Sequence, residues 1–292
     1  MRASISAILI VAFLTACGGA ANNSSTANNA APAKAPEKTE SKPAVTLKPG
    51  EVPFEGMSNL ATTAKAGEVV LTVDEKKIAE IAAEPKDPTA IFQNRVMVTP
   101  GEFESEVEDS FKTKYKVPNA YIIPVPKGQK AKNGDVVLTW WQSGGGMMRG
   151  YVTDAGNGTE PTVRYLGMSP REDKSDKLKP DSFVVVNSEW APGAAVMSKD
   201  ANGTEFAYVL RVNGDKVLLS GFARKLRLRN KADLTPISYK PAFKAGDEVK
   251  ASFMSSFDPA TVVSIDAAAG KVKVKRIRPE EEKDLDFGEV MK

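Results

Sequence analysis

The 292-residue chain carries 40 basic and 37 acidic residues, a formal charge of +3, with no histidine and a single cysteine, Cys17. So even a balance is not the footprint of a nucleic-acid binder. Without histidine, and with one cysteine, the commonest general base, the usual zinc ligands and any intrachain disulfide are excluded together.

In chain order, MRASISAILIVAFLTACGGA opens with Arg2 and an apolar run from Ile5 to Leu14. The run is shorter than the ~20 apolar residues needed to span a bilayer, so residues 1–16 read as a secretory signal peptide. Leu14-Thr15-Ala16-Cys17 resembles the lipobox of bacterial lipoproteins. The resemblance implies a diacylglycerol on Cys17, cleavage just before it, and a membrane contact made by the acyl chains. With Gly18 where inner-membrane retention uses Asp, it also implies the outer membrane. Removing residues 1–16 takes away Arg2 alone and leaves 39 basic against 37 acidic residues, a balance of +2.

Residues 17–50 form the lipidated N-terminus and a tether of Ala, Asn, Ser, Thr, Pro and Lys without an aromatic. Such a segment cannot bury enough apolar area to offset its ordering entropy. As a coil it spans roughly 30 Å, enough to hold a globular body clear of a membrane.

Residues 51–118 predict a small α+β unit. Glu68 to Val73 (EVVLTV) reads as a strand, and Asp74 caps a helix whose Ile78, Ile81 and Ala82 share a face before Pro85 ends it. Asp87-Pro88 reads as a second helix start. Thr99-Pro100-Gly101-Glu102 has capping-box spacing ahead of a helix with Phe103, Val107 and Phe111 on one face.

From Tyr121 onward turn signals multiply: Asn133-Gly134, Asn157-Gly158, Asn202-Gly203, Asn213-Gly214 and Ala245-Gly246. Asparagine-glycine between β-branched runs favours tight hairpins, because both residues tolerate positive φ. Asp135, Asp181 and Asp247 each precede a strand-like stretch, and nineteen residues after each comes Asp154-Ala155, Asp200-Ala201 or Asp266-Ala267. The spacing predicts a mainly β chain with three tandem small antiparallel barrels, at 119–170, 176–236 and 240–292.

"GDVVLTWWQSGGGMMRGYVTDAGNGTEPTVRYLG", from Gly134, resembles the Tudor and agenet family of five-stranded barrels, and "GDEVKASFMSSFDPATVVSIDAAAGKVKVKRI" matches with Phe253 at the place of Trp141. In the middle unit Pro180-Asp181 and Asn187 depart from the pattern. The resemblance implies an aromatic cage for a cationic peptide group, carried here by Trp141, Tyr151 and Tyr165.

The other motifs read as structure. Gly144-Gly145-Gly146 lacks the Gly-Lys-Ser/Thr ending of a phosphate loop and the helix that should follow one, and reads as a hairpin connection. Trp140 and Trp141 on one strand must face opposite sides, and Met147 and Met148 read as gap-filling hydrophobes. Trp190 and Phe257 fit packing between barrels as readily as recognition. The basic runs ARKLRLRNK (223–231) and KVKVKRIR (271–278) read as solvated strands, the second neutralised by the acids from Glu280 to Asp286. Asp154, Asp200 and Asp266 adjoin turns and cap their own backbone, without a calcium-loop pattern.

The reading is thus a non-catalytic binding or scaffolding lipoprotein of the envelope, contacting a protein or an envelope polymer, with no cofactor, metal or nucleic acid. The alternatives are an envelope hydrolase or transferase using carboxylates, and a purely structural surface lipoprotein.

Overall fold

The structure is a computed structural model that describes residues 47–142, 146–167, 174–201, 203–254 and 256–292. The signal peptide, the lipobox with Cys17, the tether up to Thr46, Gly144, Gly145, Asn202 and the side chain of Asp200 lie outside the described residues.

Among the described residues, twenty strands form four five-stranded antiparallel sheets with one strand order. In the first, β1 (Val69–Thr72), β2 (Gln93–Thr99), β3 (Glu104–Glu108) and β4 (Lys114–Pro118) form a meander, and β5 (Ile123–Val125) returns to pair with β1. The second repeats this with β6 (Val136–Trp140), β7 (Met147–Asp154), β8 (Thr162–Tyr165), β9 (Ser175–Lys177) and β10 (Val184–Val185). The third uses β11 (Ala195–Asp200), β12 (Gly203–Asn213), β13 (Lys216–Ser220), β14 (Leu226–Asn230) and β15 (Leu234–Ile237). The fourth uses β16 (Glu248–Phe253), β17 (Ser256–Asp266), β18 (Lys271–Arg276), β19 (Glu281–Asp286) and β20 (Val290–Met291).

One local device recurs in every sheet. Gly67, Gly134, Gly193 and Gly246, all at positive φ, stand just before the first strand. Their N–H groups donate to the carbonyls of Met97, Val152, Val209 and Val262 on the second strand, at 2.8, 2.9, 2.8 and 2.8 Å. One residue beyond each acceptor the ladder slips by a β-bulge. A bulge bends and twists its strand, so each second strand leaves the first and pairs onward with the third. Lys65-Ala-Gly-Glu68, Lys132-Asn-Gly-Asp135 and Lys244-Ala-Gly-Asp247 close the turn alike, the acid accepting from the lysine N–H at 2.8, 2.8 and 3.0 Å.

The mainly β class holds, but the expected three closed barrels are four open sheets. In each, the fourth and fifth strands end the order without pairing to one another. The extra sheet comes from the stretch read as an α+β unit, where α1 (Glu75–Ala83) is inserted between β1 and β2. Asp74 caps α1 as expected, accepting from Lys77 N–H at 2.8 Å, and Ile81 is buried in the sheet's core.

Two further helix expectations fail for identifiable reasons. Residues after Thr99 form the β3–β4 hairpin, because Ser105 and Val107 point inward while Glu104, Glu106 and Glu108 do not, a period of two. Phe111 is left 87% exposed at the hairpin tip. Asp87 caps nothing, since its carboxylate is taken by Arg227 and Lys225. The chain from Pro88 to Phe92 instead runs as an extended strap, accepting from Leu226 N–H at Pro88 and from Met147 N–H at Phe92, at 2.8 and 2.7 Å.

The middle repeat starts elsewhere than Asp181. Asp181 is a turn residue whose carboxylate accepts from Gly128 N–H at 2.7 Å, and the equivalent of Asp135 and Asp247 is Ala194. Ser175–Lys177 and Val184–Val185 belong to the second sheet as its outer strands. Asp200-Ala201 lies between the first and second strands of its sheet, whereas Asp154-Ala155 and Asp266-Ala267 lie between the second and third.

Candidate functional site

Strand alternation sorts the second sheet's side chains onto two faces with different surroundings. On one, Val137, Val152, Val163, Tyr165 and Phe183 form the sheet's own core, with Met148 and Trp141 packed at its margin. On the other, Leu138, Trp140 and Met147 join the core of the first sheet, while Val136, Tyr151 and Leu166 join that of the fourth. Trp140 and Trp141 therefore face opposite sides, as their adjacency demands.

The three cage candidates are not brought together. Gly150 pairs with Tyr165 and Tyr151 with Arg164, so one-residue parity sends the two tyrosines to opposite faces. Tyr151 meets Phe287 edge-on at 5.9 Å and donates to Ala267 O at 2.7 Å. Tyr165 is fully buried; its hydroxyl accepts from Gln142 N–H at 3.2 Å and lies 3.0 Å from the Asp176 carboxylate. Burial pushes the phenols of both above the usual tyrosine value. Trp141 stays half-exposed, with the Lys174 ammonium 4.3 Å from its ring centre. Tyr165 and Trp141 share a cluster, then, and Tyr151 does not.

The docking face carries a buried polar seam. Arg164 pairs with Asp286 of the fourth sheet at 2.7 Å, and its Nε donates to Ala269 O at 2.8 Å. The second Asp286 oxygen accepts from Gly167 N–H at 2.7 Å. Arg149 lies 4.9 and 4.7 Å from the ring centres of Phe206 and Tyr208 in the third sheet and donates to the Tyr239 hydroxyl at 2.9 Å. Tyr239 in turn donates to Gly193 O at 2.8 Å. Glu289 accepts from Asp286 N–H at 3.0 Å, and burial together with the Asp286 charge raises its carboxyl above the usual glutamate value. Sequence reasoning singled out none of these residues except Asp286, which it read as neutralising the basic run 271–278. The available signal was an arginine inside a strand pattern at each of positions 149 and 164, where a solvated side chain would end the alternation.

Where this seam reaches the surface, the second and third sheets leave a cleft of about 460 Å³ lined from Gly134–Val136, Val185–Glu189 and Ile237–Lys240. The basic run of β18 lies beside the acids of β19, with Lys271, Lys273, Lys275 and Arg276 opposite Asp286, Asp284, Glu282 and Glu281; Lys275 pairs with Glu280 and Arg276 with Asp258 and Glu281, while Asp286 is turned to Arg164. Asp154 and Asp266 accept from N–H groups of their own turns, at 3.0 Å each. Among the described residues no group of three acidic or cysteine side chains is placed to hold a metal ion, and no helix is long and apolar enough to cross a membrane. Phe257 packs between the third and fourth sheets with Ala195 and Ile237, and Trp190 against the third.

No protein-family model matches the chain, and no curated protein matches its sequence.

Proposed function

We propose that the chain is a bacterial lipoprotein, acylated at Cys17, whose body is a non-catalytic binding or scaffolding module of the cell envelope, held at the outer membrane. Its partner is a protein or an envelope polymer. Each sheet has five strands in an open order, which departs from a closed barrel.

The observation that carries the reading is the division of the second sheet. Its docking face uses Arg149, Arg164 and Tyr151 to fix the neighbouring sheets, which makes the body a stiff support. Its other face ends in a half-exposed indole that already holds a cation at 4.3 Å. A ring face of negative potential beside solvent is suited to recognising a cationic side chain.

Two measurements test this. Mass spectrometry of the mature chain is expected to show a diacylated Cys17; an unmodified Cys17 overturns the anchoring. In crosslinked pull-down from native envelopes, Trp141→Ala is expected to lose captured partner while keeping a cooperative melt. Unchanged capture, or a collapsed melt, assigns Trp141 to packing.

A further inference from the structure

We infer that the cleft between the second and third sheets binds a short peptide bearing both a free ammonium and a free carboxylate. The inference deepens the binding-module reading by naming a ligand class at a site separate from Trp141.

The cleft encloses about 460 Å³, within the ~300–1,000 Å³ common for small-ligand sites, which favour junctions between packed units. Its floor mixes the aliphatic Val136, Val186 and Ile237 with the polar Asp135, Asn187 and Ser238, and Tyr239 is one wall. Tyr239 is held on both sides, by Arg149 and by Gly193 O, so that wall is fixed.

The rim carries charges of both signs. The Lys132 and Lys240 ammonium groups and the Glu189 carboxylate are exposed, and among the described residues they make no bond to the protein. Their situation differs from the lysines of β4 and β18, where Lys116 pairs with Glu104 and Lys275 with Glu280. A ligand that matches this rim presents an anion to the lysines, a cation to Glu189 and small aliphatic groups to the floor. A short free peptide with aliphatic side chains has all three.

The backbone edges beside the cleft point to side-chain recognition in place of strand addition. β10 and β15 are outer strands, which could each template another strand. Yet Val185 N–H is taken by Gln129 Oε1 at 3.2 Å, and Pro236 in β15 has no N–H to offer.

The test is calorimetric titration of the full chain with trialanine, its C-terminal amide and its N-acetyl form. Trialanine is expected to bind, with amidation weakening it roughly fivefold, the size of one exposed ionic contact. Lys132→Gln/Lys240→Gln is expected to weaken free trialanine by a similar factor and to leave the amide unaffected. Glu189→Gln is expected to abolish the difference between free and N-acetyl peptide. These side chains are exposed, so unchanged melting of the variants shows that folding is intact. The inference is overturned if trialanine does not bind up to its solubility, or if the amide binds as well as the acid. Trp141-dependent capture from envelopes is read separately, so its survival with a silent cleft rejects this site alone.

Discussion

The two faces of the second sheet differ by one residue of parity and do different work. Tyr165 closes the sheet's own core and Trp141 reaches solvent at its margin, while Tyr151, Arg149 and Arg164 are committed to other sheets. The difference shows why aromatic composition is a poor guide to a binding cage: neighbouring rings serve together only when strand register puts them on one face. It also ranks the faces energetically. Residues of the docking face have partners on other sheets that cannot follow them into water, whereas those at the margin have solvent beside them.

The largest break is expected at the ion pair. Asp286→Ala removes the carboxylate that pairs with the buried Arg164 guanidinium and accepts from Gly167 N–H. Removing one member of a buried pair costs about 3–5 kcal/mol, a fall of roughly 10 °C in Tm for a body of this size. Calorimetry checks it, and replacing both members by apolar residues of similar volume is expected to recover part of the loss. A fall under 2 °C would mean that the docking face is no more committed than the other.

Gly270→Ala probes the same face sterically and is expected to cost about 2–3 kcal/mol. Gly270 has φ of +67°, and an added Cβ would lie 2.6 Å from the Tyr151 ring. Chemical denaturation of Gly270→Ala, alone and with Tyr151→Ala, separates the clash from the backbone strain. Only the clash is relieved in the double variant.

How much of this was legible in the sequence follows from which signals are local. The β class, the helix capped by Asp74, the Asp154 and Asp266 turns and the placing of acidic β19 beside basic β18 all rest on contacts within a few residues or across one hairpin. A pattern built on aspartate passes over the first sheet. In the first copy the motif is Lys65-Ala66-Gly67-Glu68, and α1 separates strands that are otherwise adjacent. In the third copy only Gly193 survives, so Asp181 was the nearest decoy. The glycine before each first strand was the invariant, since it alone supplies the positive φ that each copy uses there. The buried seam and the cleft join residues up to about 120 positions apart, as in Arg164–Asp286, and no local pattern encodes that pairing.

Glu289→Gln is expected to act through pH. The folded-state pKa of Glu289 is raised, so the fold binds its proton more tightly than the unfolded chain does. Glu289 therefore contributes no penalty below the ordinary glutamate value of 4.5 and a growing one as pH rises through its folded-state value. Gln keeps an acceptor for Asp286 N–H without the charge. The variant is expected to melt above the parent at pH 8 and level with it near pH 4. A gap that widens on acidification would place Glu289 among the stabilising anions instead.

The smallest effect is expected at the margin of the sheet's own core, where Lys174→Gln removes a cation from a half-exposed indole. Such contacts are worth about 0.5–1 kcal/mol at exposed sites, so Tm should move by no more than about 3 °C. The informative reading is optical. With the ammonium gone, collisional quenching of tryptophan emission by acrylamide should rise, and the rise should vanish in a Trp141→Ala background. Trp140 and Trp190 pack against the first and third sheets and should be blind to the change. A loss of stability approaching that of Asp286→Ala would erase the distinction between the two faces, because it would mean that the margin, too, holds the body together.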